Sequence, residues 1–319
     1  MADITTDKHF FKYYLLTLVV LTGCISELDI DSRGIDHSIV VNSYFSPDDT
    51  VFVYVTETAD IFENSISTLE NVDLSITDGA DTFKLQSHAL GGFYLEPGKL
   101  LVNTQYQLLG LSPSGQPFGS TSSIPKAARI PDVQQIFPAG FDEYGDPFTE
   151  YSISIEDIKG EDNYYELFII SISPNGADGI HLNEFANFLD PIIEAEGLEG
   201  FENNSFLFSD QLFEDSIAEI KIRFINASSG AELPLLPSKD IRGLHVVLLT
   251  VSEEYYNFRR SWVVHKFHQQ NNPDLSSGSD LTDLSKFLFK GDVQELETNI
   301  EGGLGVFAGY NVTLYKIDR

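Results

Sequence analysis

Cysteine is almost absent from this chain of 319 residues, and the single one, Cys24, has no partner for an internal disulfide. Basic residues are scarce as well. Nineteen Lys and Arg face 49 Asp and Glu, a formal charge of -30. Nucleic acid and anionic membrane surfaces are thereby excluded as partners, since binding phosphate takes a basic footprint. Long apolar runs are missing too. The longest, from Phe10 to Leu21, is roughly a dozen residues, short of the ~20 of a spanning helix. Catalytic signatures are equally sparse. His265-Lys-Phe-His268 is the nearest approach to HExxH but lacks the glutamate, no GxSxG elbow occurs, and no pair of the abundant carboxylates stands out by its spacing. A GGLG string near the C-terminus is not a phosphate loop, because no GxxxxGK[ST] context surrounds it. These gaps point away from an enzyme.

What is present is material for a large β-rich core. Hydrophobic residues make up 42% of the chain and aromatics 12%, enough for two domains. From Asp36 to about Ile130, short alternating runs such as "SIVVNSYF", "TVFVYVTET" and "VDLSITDG" are separated by Gly, Pro, Asn and Asp turns. That pattern predicts an antiparallel sandwich, immunoglobulin-like or transthyretin-like, over 36–130. Residues 131–319 predict a second β-rich domain with one or two helices, its strands including "NYYELFIISIS", "IAEIKIRFIN" and "GLHVVLLTVS". Residues 252–270, opening on Ser252 and two acids, predict the best helix. Between 174 and 215 lies an acidic, Asn- and Gly-rich insertion, with a helix expected in "EFANFLDPIIEAE".

Cys24 has a specific setting. Lys8 and Lys12 precede the apolar run, and Leu21-Thr22-Gly23-Cys24 follows it, which resembles a bacterial lipobox. Residues 1–23 are thus expected to be a lipoprotein signal peptide and Cys24 the acylated tether. Two or more acyl chains hold a protein firmly at a bilayer where one does not. Ser26, Glu27, Asp29 and Asp31 follow within a tether spanning 24–35. They are similar to the signal that sends Bacteroidota lipoproteins to the outer face of the outer membrane; a solvated acidic linker is the alternative.

The Tyr-rich start of the 252–270 helix, a Pro/Ser/Asp loop and "TNIEGGLGVFAGYN" at 298–311 together resemble the C-terminal signature of the Bacteroidota lipoproteins catalogued as domain of unknown function 4249. The N-terminal "SIVVNSYFSPDDTVFVYVTET" and "GGFYLEPG" are similar too. Asn299, Ile300, Gly302, Gly303, Gly305 and Phe307 carry the likeness most specifically. The resemblance implies an outer-membrane location beside a TonB-dependent receptor, a barrel partner, and no assigned activity. Glycines in such a string permit positive φ or close backbone approach, so structure explains them first, with residues 306–317 as a closing strand.

The expected role is therefore a non-enzymatic, lipid-anchored accessory subunit of a transporter. A structural part of an outer-membrane assembly complex and a surface hydrolase are the alternatives. Phe185, Phe188, Phe201 and Phe206 are candidate partner contacts, with burial as the competing reading. No cofactor is expected. Calcium is the ion for which oxygen donors are at hand, at Asp178, Asn183, Glu184 and Asp190, although the loop lacks the EF-hand spacing. Asp49-Thr50-Val51 and Asp215-Ser216-Ile217 match a short acid-hydroxyl-apolar glycosylation pattern that is frequent by chance.

Overall fold

The structure, a computed structural model, describes residues 37–59, 68–141, 145, 147–172, 180–187, 190–198, 205–229, 243–269 and 295–317. The first segment supplies β1 (Ile39–Phe45), β2 (Val51–Glu57), β3 (Asp73–Thr77), β4 (Thr82–Lys84), β5 (Gln86–Ser87), β6 (Phe93–Leu95), β7 (Thr104–Leu111) and β8 (Pro117–Ile124). In β1 the residues Ile39, Val41, Ser43 and Phe45 are buried while their neighbours are not, the period of two that a strand with one core face imposes. Four strands, in the order β4-β3-β7-β8, form one sheet. Leu74, Ile76, Tyr106, Leu108 and Phe118 of this sheet share a core with Val41, Phe45, Val53, Val55 and Phe93 of β1, β2 and β6.

The second segment supplies β9 (Val133–Phe141), β10 (Pro147–Glu156), β11 (Tyr164–Ile172), β12 (Ile180–Asn187), α1 (Pro191–Glu194), β13 (Phe206–Ser209), β14 (Ile217–Ser229), β15 (Gly243–Val251), α2 (Glu253–Gln269) and β16 (Leu304–Ile317). The larger, 12-stranded sheet runs β5-β6-β2-β1-β16-β15-β11-β12-β14-β10-β9, with β13 paired to β11 beside this path. Ile153, Ile155, Ile220 and Ile222 of β10 and β14 meet Tyr165, Leu167, Val246 and Leu248 of β11 and β15 in a second core. Those two parts of the sheet therefore face each other as layers of an open sandwich. Helix α2 covers the opposite face, where Tyr255 and Tyr256 pack with Phe168, Val247, Leu249, Val306 and Tyr310. Buried on both faces, β15 reads as a nearly continuous apolar run.

Strand β16 ties these layers together. Its first half pairs in parallel with β1, Val40 to Leu304 through Phe45 to Gly309, and its second half pairs antiparallel with β15, Val251 to Tyr310 through Leu244 to Ile317. Alternation does the rest: Phe307 enters the first core, Ile317 the second, and Val306, Ala308 and Tyr310 the layer under α2. The expected all-antiparallel pairing of the first segment thus acquires one parallel neighbour, contributed from the far end of the chain.

The fold is mainly β with helices, as composition and alternation indicate. One local expectation fails. Residues 184–187, the start of the run in which a helix is expected, belong to β12, and among the described residues of that run helix is confined to Pro191–Glu194. Pairing with β14 overrides the local helical preference there. Asp190 caps what helix remains, its carboxylate accepting from Ile192 N, with Pro191 in the first turn.

Candidate functional site

The C-terminal signature lies where β16 enters the sheet. Asn299 imitates a strand residue: its Nδ2 donates to Phe307 O at 2.7 Å and its Oδ1 accepts from Phe307 N at 3.0 Å. Glu301 and Gly119 exchange backbone hydrogen bonds of 2.8 and 3.0 Å, and Ile300 is buried in the first core. Gly302 has φ +76°, and a Cβ there would stand 2.7 Å from Pro117 O. Gly305, at φ +106°, passes so close to β1 that a Cβ would lie 2.0 Å from Val41 O. Gly303 has no positive φ, yet its Cβ would sit 2.6 Å from Ile39 O. The string lets the backbones of β8, β1 and β16 approach, which no side chain at these positions would permit.

Beneath α2 lie two buried carboxylates that the sequence does not advertise. Glu166, on β11, is fully buried; it accepts from Ser205 Oγ at 2.7 Å, Tyr255 OH at 2.5 Å and Arg259 Nε at 3.1 Å. Glu196 accepts from Ser209 N at 2.8 Å, Ser209 Oγ at 3.0 Å, Arg260 Nη1 at 3.1 Å and the Tyr256 hydroxyl. The signal that could have found them is the helical spacing of Tyr255 to Arg259 and Tyr256 to Arg260, which sets both pairs on adjacent lines of one helix. Burial, then Glu166, holds the Tyr255 hydroxyl well above its ordinary range, and burial, then the hydrogen bond to Glu196, pushes Tyr256 up to about 12. Both hydroxyls stay protonated and remain donors. A buried carboxylate that accepts from an arginine and from hydroxyl donors on or beside a helix anchors that helix, and losing one partner of a buried ion pair typically costs about 3–5 kcal/mol.

The helix N-terminus is also tied to the first segment. Ser252 caps α2, its Oγ accepting from Tyr255 N at 3.3 Å, while Ser122 Oγ on β8 donates to Glu254 Oε2 at 2.7 Å. Other acids are engaged as turn staples: Asp157 accepts from Tyr165 OH at 2.6 Å and Asp215 N at 2.8 Å, and Asp210 accepts from Asn163 N at 2.8 Å.

The residues singled out from the sequence fall in different places. Phe206, taken as a surface contact, is buried in the second core on β13, because pairing with Leu167 turns its ring inward; as a partner contact it is ruled out. Phe185 lies on β12 opposite Phe224. Asp190 is no open ion ligand: it is buried, with Oδ1 accepting from Ile192 N and Oδ2 from Lys221 N, each at 3.0 Å. Asn183 and Glu184 are consecutive in β12, at an irregularity in its pairing with β14. Among the described residues, no three or more His, Cys, Asp or Glu come together to hold a metal. The ring of His265 stacks on Trp262 at 6.2 Å. Cys24, Ser26, Glu27, Asp29, Asp31, Asp178, Phe188 and Phe201 lie outside the described residues.

Exposed apolar residues stand elsewhere, along β9 at the sheet edge. Ile136, Phe137 and Phe141 are 48%, 60% and 66% exposed. Pairing of the hairpin slips between Phe148 and Glu150, so the residues from Phe137 to Ala139 bulge opposite Thr149 alone. Below them the hairpin is braced: Arg223 on β14 bonds Glu150 at 2.6 Å and lies over the Phe148 ring at 5.2 Å.

The fold defines a mainly β protein of open, sandwich-like sheets with one helix-covered face. No described helix is long and apolar enough to cross a membrane. The chain belongs to the family described as Domain of unknown function (DUF4249), whose model matches residues 25–316. No curated protein matches it.

Proposed function

We propose that this protein is a lipid-anchored accessory subunit of an outer-membrane barrel, a TonB-dependent transporter, which it helps to capture or admit substrate without catalysis of its own. The observation that carries this reading is Cys24, the sole cysteine, placed directly after an apolar run too short to span a bilayer. Acylated there, the chain needs no spanning helix to stay at the membrane. Ser26, Glu27, Asp29 and Asp31 would direct it outward. The acidic body supports the same reading, because it remains soluble on its tether and turns away from anionic lipid toward a protein.

Two variants test the reading. Cys24→Ala should leave a folded β-rich protein released from membranes, as the cores are built by strands and a helix that begin at Ile39. Membrane retention of this variant in a strain without the barrel would overturn the anchor. Replacing Glu27, Asp29 and Asp31 together by Ala should keep the protein on the outer membrane but shelter it from protease added to intact cells. Undiminished digestion would reduce these acids to a linker.

A further inference from the structure

We propose that the outer face of β2 and β6 is a carbohydrate-binding shelf, on which Phe52, Tyr54 and Tyr94 stack against the sugar rings of a neutral oligosaccharide. This names a ligand class for the capture role and rests on that reading. Val51, Val53 and Val55 of β2 and Phe93 and Leu95 of β6 enter the first core, so alternation turns Phe52, Tyr54 and Tyr94 together to the opposite face. The register sets their neighbours: Phe52 lies opposite Tyr94, Tyr54 opposite Asn42 of β1, and Tyr94 opposite Gln86 of β5. On β1 the same face carries Tyr44, which packs against Tyr255 and Phe258 of α2. Past β1 the face emerges, with Asn42 exposed, Tyr54 46% exposed, and Phe52, His88 and Tyr94 half-buried.

The rings brace one another. The planes of Phe52 and Tyr54 lie within 20° with centroids 6.5 Å apart, close to the two-residue spacing of a strand, about 6.8 Å. His88 meets Phe52 at 5.5 Å and Tyr94 at 5.8 Å, nearly perpendicular to both. Gly92, with φ +77°, admits the Tyr54 ring, whose Cδ1 would stand 3.0 Å from a Cβ at that position. Tyr94 OH donates to Gln86 Oε1 at 2.9 Å, which leaves the Nε2 group of Gln86 as a donor beside the rings. Rings held in this way lose little freedom when a ligand stacks on them.

Shape and charge choose among occupants. A pyranose presents an apolar C–H face to an aromatic ring and hydroxyls at its rim to carboxamides and phenols, and this shelf offers both, with Asn42 and Gln86 at its margins. No Lys or Arg occurs in β1, β2, β5 or β6, and the formal charge of -30 repels phosphates and acidic sugars. A quaternary ammonium needs a cage of rings around a hollow, whereas His88 fills the space between Phe52 and Tyr94. An extended peptide finds no main-chain partners, because β2 is paired on both sides, with β1 and β6. A second copy would bring two chains of the same large negative charge together.

The test titrates the full-length protein, held in a polyoxyethylene detergent that carries no sugar, with cellohexaose, xylohexaose, mannohexaose and maltohexaose by calorimetry. The inference expects at least one of the four to bind, and Tyr54→Ala with Tyr94→Ala to weaken that binding at least tenfold. Gln86→Ala, at an exposed position outside the cores, should weaken it at least threefold with an unchanged melting temperature, which separates lost contacts from lost fold. Trp262→Ala, on α2 and 39% exposed, should leave it unchanged. Binding of none of the four would overturn the inference, as would undiminished binding by the Tyr54, Tyr94 and Gln86 variants or an equal loss in Trp262→Ala. A dimer that the double variant dissociates would give the shelf to a second copy and overturn it too. Sugar binding by a protein that brings no barrel from its membrane leaves the shelf and removes the transporter reading. A barrel recovered with a protein that binds none of the four does the reverse.

Discussion

Strands β15 and β9 are both nine residues long, belong to the same sheet and contain no Asp, Glu, Lys or Arg, yet one is hidden and the other displayed. In GLHVVLLTV both faces are covered, one by the second core and the other by α2, so every apolar side chain contributes to stability. In VQQIFPAGF only Val133 packs against a core, while Ile136, Phe137 and Phe141 face solvent at the edge. Hydrophobicity alone therefore does not say what a strand is for. Neighbours decide: β15 has β11 and β16 beside it, while β9, among the described residues, has β10 on one side only.

The comparison can be broken most severely by removing β16. Ending the chain before Gly302 takes away the partner of both β1 and β15 and opens three cores, so the protein should lose its cooperative melting transition and aggregate on size-exclusion chromatography. A matched pair of truncations sharpens the contrast itself. Leu248→Ala on β15 should cost about 2–5 kcal/mol in denaturant unfolding, whereas Phe137→Ala on β9 should stay within about 0.5 kcal/mol of the parent. Between these falls Gly302→Ala, where positive φ and the nearby Pro117 O predict a loss of about 1 kcal/mol or more, read as a lower melting temperature.

The helix that covers β15 adds a pH signature, the mildest of these effects. An unfolded tyrosine ionises near 10, whereas folded Tyr256 holds its proton up to about 12. Between those values the folded state binds more protons, so the Tyr256 contribution to stability should be flat below pH 10 and fall as pH rises toward 12. Tyr256→Phe should remove part of that alkaline slope, as measured by denaturant titrations at pH 9, 10 and 11.

Alternation made β1, β2, β3 and β14 legible in the sequence, a continuous apolar run marked β15, and Ser252 with its two acids marked α2, because a half-buried strand and a capped helix write their periods locally. Pairing between β1 and β16 did not, since nothing in residues 39–45 records a partner more than 260 positions away. Residues 184–187 misled for the reverse reason: their helical appearance is local and their strand pairing is not. The same limit hid the functional candidates. Glu166 reads as one more acid within an apolar strand until Tyr255 and Arg259 are seen above it. Exposed phenylalanines were sought in the insertion, whereas the structure displays Phe137 and Phe141 at an edge and buries Phe206.

The central claim, a tethered body docked on a barrel, is tested most directly by recovering the full-length protein from its native membrane in mild detergent and identifying what accompanies it by quantitative mass spectrometry. The account predicts a TonB-dependent receptor in near-equal amount, still present in washes that remove other membrane proteins. Recovery of the protein alone, or with no barrel among its companions, would contradict it.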